Sequence, residues 1–474
     1  MKRGSAAALC LLAALPALAE DAGEAEYQRR RRAAAGAVGK SHRLAARWCA
    51  DNGLPIPAWQ EWTESLDVEP DHEEARRALG FVRRGDTWVR DGGANPPLVN
   101  DGKPREIAER LEVYRKKRTA TEVTAARELA ALARWAEERG YSRRATDLWI
   151  LVRRYDGQNE AALKGSGWEQ AGDGWYPAAE AAARRTLLRA LEDADGGKAA
   201  ERQGDLTRDS GLKLERRVSG HFDIEGKLPQ AELARITRAS ETARAAFQEA
   251  FSIEEKRRVG RMTAVFLGSH ADHLRFLTRC TPLDERERAS YAALGGWSTF
   301  QPSITFEVWA ADPAPGYYAE ASAHLIAHLL LVGCFKLKDP PAWLQEGYAF
   351  WLSDRLFSAA RVRCTDQTRN TGPDARADST LLWRRDLRRG LREGTDPDMR
   401  TVLRARFDDL KLDSMVKAWS LVDWILETKP EALRGYADRL ADGDPAVEAL
   451  FELLGVEDYD GLQSRWAAWL AEKL

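Results

Sequence analysis

The sequence of 474 residues predicts an α+β protein: an N-terminal helical repeat region, then a domain of mixed strands and helices with a helical end. Three observations predict it. The first half matches itself without gaps at an offset of 87 residues, the mark of an internal repeat. Beyond residue 216 short strand-like runs alternate with stretches of helical spacing. From Thr401 to Leu474 the pattern is helical throughout.

At the 87-residue offset, Ala46-Arg47-Trp48 falls on Ala133-Arg134-Trp135 and Gly53 on Gly140. Ala58 and Trp62 meet Ala145 and Trp149, and Gly80, Gly85, Asp86 and Trp88 meet Gly167, Gly172, Asp173 and Trp175. Each copy reads as two helices, the first stopped by its glycine, and a small hairpin turning at Gly-Asp. The matched tryptophans are expected in the core. Such a unit resembles tetratricopeptide-type repeats, which implies a spacer or docking role. The resulting organisation is repeat 1 at 41–93, a connector at 94–127, repeat 2 at 128–180, a linker at 181–215 and one domain over 216–474.

Charged residues make up 31% and hydrophobic residues 44%, and the formal net charge is -2. That balance suits a globular protein and offers no overall attraction for nucleic acid. The run Arg29–Arg32 reads as a solvated tail. Lys2 and Arg3 precede an apolar stretch from Ala6 to Leu18, which ends in Ala17-Leu18-Ala19 before Glu20 and Asp21. These are the parts of a cleavable signal peptide over residues 1–19, too short for a stable membrane span, so a periplasmic or secreted location is expected. Removal of that leader leaves Cys49, Cys280, Cys334 and Cys364, whose pairing spacing alone does not decide.

In the second half, Val218–Ile224, Thr263–Leu267 and Thr305–Trp309 read as strands, and a long helix follows Pro229. A helix over about Tyr317–Val332 carries His324 and His328 at i and i+4, one turn apart on a single face, where two imidazoles can meet one zinc ion. The next helix opens with Pro340-Pro341-Ala342-Trp343-Leu344-Gln345-Glu346-Gly347. Glu346 follows His328 by eighteen residues, and two histidines with a glutamate from the next helix form a catalytic zinc ligand set.

Here the sequence resembles the gluzincin metallopeptidases, in particular the peptidase-MA-like domains of exported bacterial proteins. Those carry His-Glu-x-x-His on one helix and Pro-x-Trp-x-x-Glu-Gly-x-Ala on the next. His324 and His328 match the first motif, and Pro341, Trp343, Glu346, Gly347 and Ala349 the second. The resemblance implies a small twisted sheet over roughly 216–474, with an edge strand (here Thr305–Trp309) flanking the cleft beside the two active-site helices. It also implies one zinc ion on His324, His328 and Glu346.

The chain departs from that pattern at Leu325, which stands where the family has its general-base glutamate. Leucine carries no proton, and general acid–base catalysis is worth ~10²–10⁴-fold, so at most trace peptidase activity is expected. Glu320, four residues before His324, is the remaining candidate for a replacement base. The stretch Asp413–Trp419 offers no tyrosine where family members often place one. His270 and His273 are read as partly exposed residues at a helix start, and Trp466, Trp469 and Leu470 as core. The leading expectation is therefore a non-catalytic metallopeptidase homologue that binds a peptide or protein partner. The alternatives are a working zinc hydrolase with an unconventional base and a metal-free structural repeat protein. Convergence of His324, His328 and Glu346 separates these readings.

Overall fold

The computed structural model describes residues 7–85, 87–90, 97, 99–311, 313–363 and 379–472, with 7–22, 90 and 472 as backbone only. The leader read over residues 1–19 and Cys364 therefore lie outside the residues described with side chains. The protein is α+β, with many helices and one six-stranded mixed sheet. It forms two compact units, Met1–Glu169 with Arg389–Thr395, and Gln170–Arg388 with Asp396–Lys473.

The first unit begins with helices α1 (Ala7–Asp51), α2 (Pro55–Val68) and α3 (Glu73–Ala78) and a hairpin of β1 (Phe81–Arg84) and β2 (Thr87–Arg90). Helices α4 (Pro104–Glu138), α5 (Ser142–Tyr155) and α6 (Glu160–Gly165) follow, leading into a hairpin of β3 (Trp168–Ala171) and β4 (Gly174–Pro177). The stretch read as a connector is mostly the start of α4, one helix of 35 residues. Both hairpins turn at a glycine of positive φ, Gly85 at +62° and Gly172 at +59°, a conformation that an L side chain adopts only at a cost. Trp62 and Trp149 are buried, the latter in a core with Val38, Leu129, Ala133 and Val152. Beneath the helices Glu61 is fully buried. It accepts from the Tyr114 hydroxyl at 2.6 Å and pairs with Arg118 at 3.0 Å and His42 at 2.7 Å.

The second unit continues with α7 (Ala178–Asp193) and then builds the sheet from β5 (Lys198–Ala200), β6 (Glu215–Val218), β7 (Phe222–Gly226), β8 (Met262–Leu267), β9 (Gly296–Thr299) and β10 (Thr305–Trp309). The strand order is β5-β6-β7-β8-β10-β9, with β7, β8 and β10 parallel and the outer pairings antiparallel. Strand β8 is apolar and buried apart from Thr263 because both its faces are covered, as those of parallel strands usually are. Helices α8 (Gln230–Ala250) and α11 (Tyr317–Phe335) pack together, joined at Ser240 and Ser322 by a 2.8 Å hydroxyl contact. Helices α9 (His270–Cys280) and α10 (Glu285–Tyr291) precede β9, and α9 sets Phe276 and Leu277 against Val265 and Leu267 of β8.

Two strand expectations need correction. The run Val218–Ile224 is not one strand: the chain turns at 219–221 and the run is split between β6 and β7. Thr305–Trp309 is not the edge, because β9 pairs outside it. Strand β9, Gly-Trp-Ser-Thr, is short and weakly patterned, so nothing local marks it.

The chain then forms α12 (Ala342–Phe357), α13 (Trp383–Glu393), α14 (Met399–Arg404), α15 (Leu412–Thr428), α16 (Pro430–Asp442), α17 (Ala446–Leu454) and α18 (Tyr459–Glu472). Trp466, Trp469 and Leu470 are buried. Cys49, Cys280 and Cys334 are buried free thiols. A buried charge network joins α7, α12, α13 and α15. Glu180 meets Arg184 at 3.1 Å, Arg384 at 2.9 Å and Arg355; Asp423 meets Arg384 at 2.7 Å and Arg355; Asp354 meets Arg184. Three carboxylates and three guanidinium groups balance, as burial requires of charge.

Candidate metal centre

Helix α11 is long and apolar enough to cross a membrane by composition, yet 83% of its apolar window is buried inside the protein. It serves as a core helix. It starts after Gly316 at φ +79° and ends at Lys336, also left-handed, so both ends are fixed by backbone geometry. Five residues later Pro341 caps α12, where a missing N–H costs nothing. Gly347 lets α12 approach α15 closely: a Cβ there would sit 2.7 Å from the Ala418 carbonyl oxygen. The residue beside it is Glu346.

These constraints bring His324, His328 and Glu346 together, with one donor atom from each lying within 4.8 Å of the others and all three residues buried. The two Nε2 atoms are 3.1 Å apart, and each is 3.6 Å from a Glu346 oxygen. Ligands on a tetrahedral zinc ion, with bonds of about 2.0–2.1 Å, stand roughly 3.3 Å from one another, so the trio matches the separation a single ion requires. Burial drives the His324 pKa well below its ordinary value, helped by His328. Burial likewise lowers His328, to about 4, against an opposing hydrogen bond from Gln345. Both rings are thus neutral at physiological pH, the form that ligates metals.

Gln345 sets the tautomer of His328. Its amide nitrogen donates to the Pro340 carbonyl at 2.8 Å, which turns its oxygen toward His328 Nδ1 at 3.3 Å. Nδ1–H must then donate, leaving the Nε2 lone pair facing the trio. Gln345→Leu is expected to weaken metal affinity 10–100-fold in competition with a chromogenic chelator, with the circular dichroism unchanged. Unchanged affinity would remove Gln345 from this role. Gln345 belongs to neither motif, and its place next to Glu346 is the only sequence signal for it.

The other sequence candidates fall elsewhere. Leu325 is half-buried and lines a cavity of ≈730 Å³ with Tyr317, Trp309 and Val362. Glu320 is fully buried, and its carboxylate accepts from the Arg361 backbone N–H and pairs with that guanidinium at 2.7 Å. Burial raises the Glu320 pKa, with Arg361 opposing. His270 is exposed as expected, but His273 is fully buried, a correction. Its Nδ1 lies 2.9 Å from Glu307 and its Nε2 donates to the Tyr291 carbonyl at 3.1 Å. A glutamate inside the apolar run of β10 was the signal for that partnership. Around the trio, Phe350 packs on His324 at 5.6 Å between ring centroids and Phe407 on His328 at 6.1 Å. Ser414 to Trp419 are all buried, and among them Lys417 is bonded to Asp396 at 2.6 Å.

Comparison of the chain with protein-family models and with curated proteins finds no match.

Proposed function

We propose that this chain is an exported, gluzincin-like metallopeptidase homologue that holds one zinc ion and binds peptide without efficient hydrolysis. The observation that carries the reading is the convergence of His324, His328 and Glu346 beside an apolar Leu325. A buried set of two imidazoles and one carboxylate is a donor set suited to zinc. Zinc would supply Lewis-acid polarisation of a bound carbonyl. The chain's own residues supply position: α11 presents both imidazoles, α12 the carboxylate, and Gln345 the tautomer. None supplies a proton carrier at the family's position, since Leu325 has none. Glu320 is held by Arg361, which supports the reading without a substitute base. The convergence of the trio also speaks against the metal-free structural reading.

Metal analysis of the purified protein tests this. One zinc per chain is expected, with loss of the ion in His324→Ala and in His328→Ala. Absence of metal from the unmodified protein, even after incubation with zinc, would overturn the proposal.

A further inference from the structure

Leu325 places an isobutyl group in the wall of the ≈730 Å³ cavity, whose volume falls in the range of small-molecule sites. None of His324, His328 and Glu346 is among its described lining residues, so it adjoins the trio without including it. It lies past the C-terminal ends of the parallel strands β8 and β10, the common ligand crevice of open α/β sheets. Gly268, Ala293, Ser298 and Ala311 in its lining are exposed, so it opens to solvent.

Three large rings, Tyr291, Trp309 and Tyr317, stand half-buried around this one space. Aromatic walls left partly open on a concave surface suit a ligand that covers them. Trp309 is fixed by its indole N–H, which donates to the Leu294 carbonyl at 2.7 Å, and by His270 and His273, whose ring centroids lie 5.0 and 5.6 Å away. Its polar edge is thereby spent inside the protein. Leu294, Leu325 and Val362 add aliphatic surface. The charges in the lining are not on offer to a ligand. Glu307 is fully buried with its carboxylate on His273 at 2.9 Å, and Arg363 already interacts within the protein. A charged group entering this space therefore loses water without gaining an opposite charge, whereas an uncharged ring gains ring-to-ring contact.

We infer that this cavity holds an uncharged aromatic group, which in a bound peptide is an aromatic side chain, and that Leu325 serves it as a wall. The peptide half of this statement rests on the chain binding peptide; the aromatic half does not. Calorimetry on the full chain incubated with zinc tests both. The probes are acetyl-Gly-Phe-Gly-amide, its counterparts with Gly, Glu or Lys at the centre, and 2-phenylethanol alone. The variants are Leu325→Gln and Ala311→Trp. Ala311 is an exposed lining residue, so its enlargement fills the cavity without touching the core. The Phe peptide is expected to bind roughly 10–100-fold tighter than the Gly peptide, the worth of burying one such side chain, with the Glu and Lys peptides no tighter than Gly. Leu325→Gln should cut that preference severalfold, and Ala311→Trp should abolish it together with binding of 2-phenylethanol. A Phe peptide no tighter than the Gly peptide, a Glu or Lys peptide as tight as Phe, or undiminished binding by Ala311→Trp would overturn the inference while leaving peptide binding itself intact. Saturable binding of 2-phenylethanol with no binding of any peptide would uphold the aromatic site and sink the peptide-binding reading instead. Should Leu325→Gln fail to fold, the peptide series and Ala311→Trp still decide.

Discussion

Leu325→Glu should raise peptide hydrolysis by the zinc-loaded protein by roughly 10²–10⁴-fold over the unmodified chain, the usual worth of a positioned general base. The position is suited to the change. Leu325 sits between the two histidines in α11, is only half-buried, and lines a cavity, so a carboxylate there avoids the cost of a closed apolar site. The trio it would serve is already assembled. Hydrolysis of a quenched fluorescent peptide library, with and without chelator, reads the gain. Two results would refute the account: robust chelator-sensitive turnover by the unmodified protein, or no gain in Leu325→Glu despite one bound zinc.

The second large effect is on stability. Asp423→Ala should destabilise the protein by about 3–5 kcal/mol at pH 7, because it leaves Arg355 and Arg384 with too little negative charge inside the unit. Burial opposes ionisation of Asp423, but Arg355 and Arg384 together outweigh it and hold its pKa below the ordinary carboxylate value. Glu180 behaves alike: burial opposes its charge, while Arg384, Arg355 and Arg184 hold its pKa well below the usual range. The sign follows from the depressed values. The stabilisation is fully present above the unfolded carboxylate pKa, about 4, and is lost as pH falls toward the folded values. Urea melts across pH 3–7 should therefore show the gap between the two proteins narrowing only below about pH 4. A difference under 1 kcal/mol at pH 7 would mean that the network contributes little.

How much of this was legible in the sequence depends on the distance over which each feature acts. His324 and His328 could be paired from spacing alone, since one turn of helix fixes their relation wherever the helix lies. Glu346 needed a short connection and a proline-led helix, both local signals. Of the repeated tryptophans only Trp62 and Trp149 are buried, while Trp48, Trp88, Trp135 and Trp175 are half-buried, so repetition marks the position but not its burial. What escaped was set by long-range pairing. Strand β9 has no pattern of its own and is a strand only because β10 accepts it. Val218–Ile224 read as continuous because the turn at Ser219-Gly220-His221 interrupts a mostly compatible run. His273 was judged by its place at a helix start, but Glu307, 34 residues on, is what makes it a buried partner. The network of Glu180, Asp354 and Asp423 joins residues up to 204 positions apart, beyond any motif.

The contact at Gly347 places the control of the trio behind it. With no room for even a methyl group against the Ala418 carbonyl, the height of Glu346 above the imidazoles is gauged by the backbone of α15. A bulkier residue that lifts α15 away would therefore move the Glu346 carboxylate without touching His324, His328 or Glu346 itself, and a shift of a few tenths of an ångström is large against the tolerance near 0.2 Å that a metal bond would allow. The spacing of this trio is set by a helix that supplies none of its three residues.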